Sequence, residues 1–114
     1  MSKWRSKDLK SVDENLYKYK FYIAKIKNIE LELGVRNSEE LKFEKEELQK
    51  KVNQMDNVLN SLDEESMNLI KLRYFEKKSY DKISEIVELT PSHIVNKIKK
   101  VLINMKIALD PVIY

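Results

Sequence analysis

Chain breakers are almost missing from this sequence. Its 114 residues hold one glycine, Gly34, and two prolines, Pro91 and Pro111. That leaves little material for the tight turns a sheet protein needs at its strand ends. The long stretches between breakers predict an all-α chain. A hydrophobic fraction of 42% can supply a core, and 36% charged residues imply much solvated helix surface. The length suits one domain, or a small domain with a helical extension.

The same composition removes several classes of function. There is no cysteine, which excludes disulfides and thiolate metal sites and fits a reducing compartment. The opening MSKWRSKDLK is charged where a signal peptide would be apolar. No apolar run approaches the roughly 18 residues of a membrane span. A cytoplasmic protein without a membrane partner is expected. The formal charge of +3 is too small to imply nucleic-acid binding by itself, so the placement of the charge has to carry that argument.

Residues 1–60 are predicted to form a helical hairpin resembling a short coiled coil, suited to oligomerisation or partner binding. From Asp8 to Leu33, the residues Leu9, Val12, Leu16, Tyr19, Ile23 and Ile26 recur at alternating steps of three and four, one seam of a helix. Gly34 suits the left-handed residue that commonly closes a helix. Asn37 or Ser38 can cap a second helix, with Glu39 and Glu40 at its positive end. Leu41, Leu48, Val52, Met55 and Leu59 form its seam. A short connection between helices of this length favours antiparallel packing. Trp4 is placed to anchor the N-terminus.

Residues 61–114 are predicted to form three further helices. Ser61, with Glu64 three residues on, fits a capping box for a helix from Leu62 to Phe75. Its apolar set is Met67, Leu69, Ile70, Leu72 and Phe75. Ser79 can cap a short helix from Tyr80 to Val87, and Glu88 and Leu89 make a turn. Thr90 then caps the fifth helix, with Pro91 at its first position, where a missing N–H costs nothing. Ile94, Ile98, Val101, Leu102, Met105 and Leu109 form its core face. Val95, Ile103 and Ile107 lie outside that stripe and need a second cover, from the hairpin or from another subunit.

Two helices joined by a tight turn, the second lysine-rich and free of acid from Thr90 to Leu109, are how a helix-turn-helix reader of double-stranded DNA looks in sequence. The second helix of such a unit lies in the major groove. Opposite the core stripe it carries Ser92, His93, Asn96, Lys97 and Lys100. Asn can pair with adenine, Lys can reach guanine or phosphate, and Ser and His can donate or accept. The amides from Thr90 to Ser92 can hold a phosphate, and Lys77, Lys78 and Lys82 would flank the other backbone. The alternative for these lysines is an ordinary solvated helix face. The absence of acids beside them favours DNA.

Other constellations are weaker. His93 is the only histidine, so a metal or acid–base role lacks partners. Tyr17, Tyr19, Phe21 and Tyr22, interleaved with Lys18 and Lys20, resemble a stacking platform for single strands. Their helical spacing favours packing within the hairpin or at a dimer interface. The carboxylates at Glu39, Glu40, Glu46, Glu47, Asp63, Glu64 and Glu65 suit helix starts and exposed faces. One glycine rules out a phosphate-cradling loop, and no nucleophile has an evident base. Neither an enzyme nor a cofactor is expected.

From Ser61 to about Met105 the chain resembles region four of bacterial sigma factors. Leu72-Arg73-Tyr74 matches that family's L-R-[FY] step, and Ser79-Tyr80-Asp81-Lys82-Ile83-Ser84 is similar to its S-Y-x-E-I-A. Val87-Glu88-Leu89-Thr90 stands where the family has L-G-[IV]-S, and Ile94 stands at the valine that begins the buried face. Glu88 and Lys77 replace family glycines, and Ser84 replaces an alanine. A complete sigma factor is not expected, because the chain has no room for the promoter-melting region. A helical hairpin before a sigma-like reader resembles the small phage late-gene transcriptional regulators of the RinA and ArpU type. The resemblance implies promoter-proximal DNA binding, activation of phage or prophage genes and contact with host RNA polymerase, and a homodimer would supply two readers. The alternative is a phage DNA-packaging or adaptor protein that uses the helix-turn-helix as a scaffold.

Overall fold

The computed structural model describes residues 7–109, so Trp4 lies outside the described residues. These form α1 (Lys7–Leu33), α2 (Glu39–Asn60), α3 (Glu64–Ile70), α4 (Tyr80–Val87) and α5 (Pro91–Leu109), with no strand among them. The chain is all-α, as its scarcity of breakers predicts. The described residues extend over 52 × 35 × 27 Å. The longest helix, α1, spans about 40 Å at 1.5 Å per residue.

The predicted seams are the buried ones. Leu9, Val12, Leu16 and Ile26 of α1 are buried, with Ile29 added, and Tyr19 and Ile23 are half-buried. In α2, Val52, Met55, Val58 and Leu59 are buried, while Leu41 and Leu48 toward its start are half-buried. Tyr19 early in this pairing donates to Asp56 late in α2, and Glu30 lies 3.3 Å from Lys45 near the α2 start. The two helices therefore run antiparallel. Ser38 caps α2 by accepting the Leu41 N–H at 3.2 Å, and Glu39 and Glu40 occupy its first turn, where the helix dipole favours them.

Three local expectations are corrected. Gly34 does not take the left-handed conformation. Its N–H donates to the Glu30 carbonyl at 3.1 Å, and the N–H groups of Val35 and Arg36 both go to Glu32, so the turn closes with ordinary right-handed geometry. Ser61 does not open α3. Its backbone is helical (φ −86°, ψ −10°) and closes α2, with its hydroxyl donating to the Val58 carbonyl at 2.6 Å. Asp63, with the extended backbone an N-cap needs, accepts the Ser66 N–H at 2.7 Å and starts α3 at Glu64.

The third correction concerns how α3 ends. Beyond Ile70 the chain widens into a π-helical turn, Lys71–Phe75, closed by a bond from the Glu76 N–H to the Lys71 carbonyl at 2.9 Å. Ile70, Leu72 and Tyr74 are all buried, an alternation that one face of a regular helix does not produce. The turn is covered by both α1 and α4. Tyr74, absent from the predicted apolar set, is only 1% exposed. Its ring meets the edge of Tyr17 at 4.7 Å, and its hydroxyl donates to Asp13 at 2.5 Å. Burial, followed by this bond to Asp13, drives the Tyr74 pKa upward. A single buried cluster runs from Leu9, Leu16 and Met55 through Tyr74 and Ile83 to Ile98 and Met105.

Candidate nucleic-acid interface

The segment from Ser79 to Leu109 builds a pair of capped helices joined by a short turn. Ser79 caps α4 by accepting the Lys82 N–H at 3.1 Å, and Ile83 is wholly buried against the core. Glu88 ends α4 in the left-handed conformation (φ 57°, ψ 42°). The Ser84 hydroxyl, half-buried, donates across the turn to the Leu89 carbonyl. Thr90 then accepts the His93 N–H on its side chain at 3.2 Å and the Ile94 N–H on its carbonyl at 3.0 Å. Pro91 is the first residue of α5, as predicted.

The turn before α4 has its own clamp. Lys77 is also left-handed (φ 55°). The Arg73 guanidinium donates to the Lys78 carbonyl at 3.0 Å and lies 4.0 Å over the Tyr80 ring. The Lys78 N–H returns to the Leu72 carbonyl at 3.0 Å. Both positions where the resemblance has glycine are thus the positive-φ residues of the described chain. L-residues pay for that conformation sterically, and the surrounding hydrogen bonds hold it.

On α5, Ile94, Ile98, Val101, Leu102 and Met105 are buried, and the opposite side exposes Ser92, His93, Asn96 and Lys100. A shallow groove of about 220 Å³ between α3 and α5 gathers His93, Asn96, Lys97 and Lys100 with Glu65 and Asn104. Thr90 and Ser92 stand exposed at the α5 start, and Lys82 is exposed in the first turn of α4. Lys77 and Lys78 are occupied elsewhere. The Lys77 ammonium lies 5.3 Å over the Phe21 ring, and Lys78 is 3.7 Å from Glu76.

One premise of the sequence reading is overturned here. Acids are absent from α5 itself, but the fold brings Glu65 to 2.8 Å from the Lys97 ammonium. The partners are 32 residues apart, and nothing in the local pattern announces the pairing. Ser66 of α3, which also lines the groove, is likewise invisible to a reading of α5 alone, whereas Asn104 lies on α5 itself and was passed over. Asp63 at the head of α3 has its pKa lowered, chiefly by the Ser66 backbone N–H, so its charge is secured by the cap.

The aromatic residues of α1 serve packing. Tyr17 meets Tyr74, Tyr19 stacks on Phe75 at 5.3 Å, and Tyr22 donates to Asn15 at 3.1 Å beneath the Lys51 ammonium. Burial, then the bond to Asp56, pushes the Tyr19 pKa up to about 12. Of the four, Phe21 alone is largely exposed, at 64%. Ile103 and Ile107 are left 41% and 60% exposed, so α1 and α2 do not supply the second cover that α5 was expected to need. No protein-family model, curated protein or solved structure matches this chain.

Proposed function

We propose that this protein is a sequence-specific DNA-binding transcriptional regulator, an activator of phage or prophage genes that acts with host RNA polymerase. In this reading residues 1–60 are a helical hairpin and residues 61–114 a sigma region four-like helix-turn-helix, with α4 and α5 as its two helices. The observation that carries it is the outward face of α5. Exposed His93, Asn96 and Lys100 project from a helix whose opposite face is locked into the core and whose start is capped by Thr90. Residues held on a rigid element can meet base edges without a large ordering penalty.

The test is binding of the full chain to duplexes from the region upstream of its own gene cluster. Asn96→Ala relaxes sequence preference and costs about 1–3 kcal/mol at its base pair. Lys100→Ala weakens all sequences by similar factors, since a phosphate contact carries no base information. Affinity falls steeply with salt as counterions are released. In transcription assays the protein stimulates its promoter only when core polymerase and a host sigma factor are both present. Unchanged binding in both variants would assign α5 to a scaffold.

A second copy of the chain is the partner favoured for Ile103 and Ile107, whose side chains continue the outward side of α5 beyond the polar residues. Tyr19 and Tyr22, whose spacing allowed either packing within the hairpin or a dimer interface, have partners within the chain and are not assigned to that interface. Packaging or adaptor function would share the same exposed isoleucines. Stimulation of transcription separates it from the regulator.

A further inference from the structure

Lys97 differs from the other basic residues on the outward side of α5. Its ammonium is held 2.8 Å from Glu65 in the first turn of α3, whereas Lys100, three residues on, makes no ion pair among the described residues. The pair does little for the fold. The Glu65 side chain is 65% exposed and that of Lys97 30% exposed, a setting in which ion pairs contribute little stability. The start of α3 is already satisfied by the Asp63 cap and by Glu64 at the dipole. The pair lies instead in the polar groove lined by His93, Asn96 and Lys100, where a phosphate following α5 would pass.

We infer that Glu65 is a built-in competitor for the phosphate backbone: its carboxylate occupies Lys97 and must be displaced before that lysine can neutralise a DNA phosphate. The inference rests on the reading of α5 as a duplex-binding helix and adds a residue that restrains it. A phosphate and a carboxylate make the same charge-assisted hydrogen bond to an ammonium, so the two are alternatives at one site. The consequence is sequence-independent. Glu65 lowers the affinity for any duplex by the same factor and removes one lysine from the counterions released, so indiscriminate binding by a lysine-rich helix is held down.

The experiment uses the full chain and fluorescence anisotropy on two duplexes, one from the region upstream of its own gene cluster and one of shuffled sequence. Glu65→Gln, Lys97→Gln and the double variant are compared with the parent, and circular dichroism melting verifies that each is folded. Glu65→Gln tightens both duplexes by roughly two- to fivefold, the span of an exposed ion pair, and steepens the log–log salt dependence by about 0.9. In the Lys97→Gln background Glu65→Gln has no such effect, because the carboxylate acts through that ammonium. A gain that persists without Lys97 overturns the inference in favour of a general charge effect. A change confined to one duplex overturns it in favour of Glu65 touching a base. Parent and variant binding with equal strength also overturns it while leaving the DNA reading in place. Failure of every form to bind any duplex removes the DNA reading itself, and the inference with it.

Discussion

Tyr74 shows how one side chain can tie distant parts of the chain together. Its ring fills the core and its hydroxyl reaches Asp13, 61 residues earlier. Tyr74→Phe is expected to destabilise the protein by about 1.5–3 kcal/mol, the range of hydrogen bonds to charged groups, read from denaturant unfolding. The tyrosines also set a limit in alkali. Tyr19 and Tyr74 both have raised folded pKa values, so the native state keeps protons that the unfolded chain gives up above about pH 10. Their contribution is complete below the unfolded pKa and declines as pH rises, for Tyr19 between the ordinary value of 10.0 and about 12. Unfolding midpoints should fall across that window, and the Tyr19→Phe, Tyr74→Phe double variant should flatten the decline. Backbone conformation gives another residue-scale outcome. Glu88 is left-handed, a conformation costing an L-residue roughly 1–2 kcal/mol, while glycine gives back about 0.5–1 kcal/mol in unfolded-state entropy. Glu88→Gly should therefore raise stability by up to about 1.5 kcal/mol, and β-branched Glu88→Val should lower it.

The elements were legible where the signal is local. The 3/4 spacing located the seams of α1 and α2, and Ser79, Thr90 and Pro91 marked the starts of α4 and α5 because a cap needs only its own next few amides. Ser61 misled for the same reason. The S-x-x-E pattern was present, but the backbone there finishes α2, and Asp63 two residues on had the extended conformation that capping requires. The π-helical turn had no local signature, since it is packed against α1 and α4, through Tyr74 to Asp13 and Tyr17 of α1 and through Arg73 to Tyr80 of α4. The candidate site divides along the same line. Periodicity of α5 alone identified His93, Asn96, Lys97 and Lys100, while Glu65 came from a helix whose approach depends on tertiary packing. Arg73 is the element-scale test. It bridges the π-helical turn to α4 through the Lys78 carbonyl and the Tyr80 ring, a planar, multi-donor geometry that lysine does not reproduce. Arg73→Lys should lower stability by about 1 kcal/mol, with faster hydrogen exchange concentrated at residues 76–80.

At the scale of the whole molecule, the buried cluster does not stop between α2 and α3. Leu16 of α1 and Met55 of α2 belong to the same cluster as Tyr74, Ile83, Ile98 and Met105, and the π-helical turn is anchored on α1 through Asp13 and Tyr17. The distal ends of α1 and α2 are different. There Lys25–Glu44 and Glu30–Lys45 are exposed ion pairs of little stabilising value, and Leu31, Val35 and Phe43 are exposed. Local opening should begin at that end, while the cluster unfolds as one unit. Leu16→Ala tests this, because Leu16 is wholly buried and lies far in sequence from α4 and α5. The change should cost about 2–5 kcal/mol through its cavity. Far-UV circular dichroism, which follows all the helices, and near-UV tyrosine signals, which report the packing around Tyr74, should lose their amplitude together at one lowered midpoint. If instead the tyrosine signal moved while the helices of residues 61–109 melted at the parent midpoint, the two halves would be independent units. The contacts of Tyr74 with α1 would then be a docking surface rather than part of a common core.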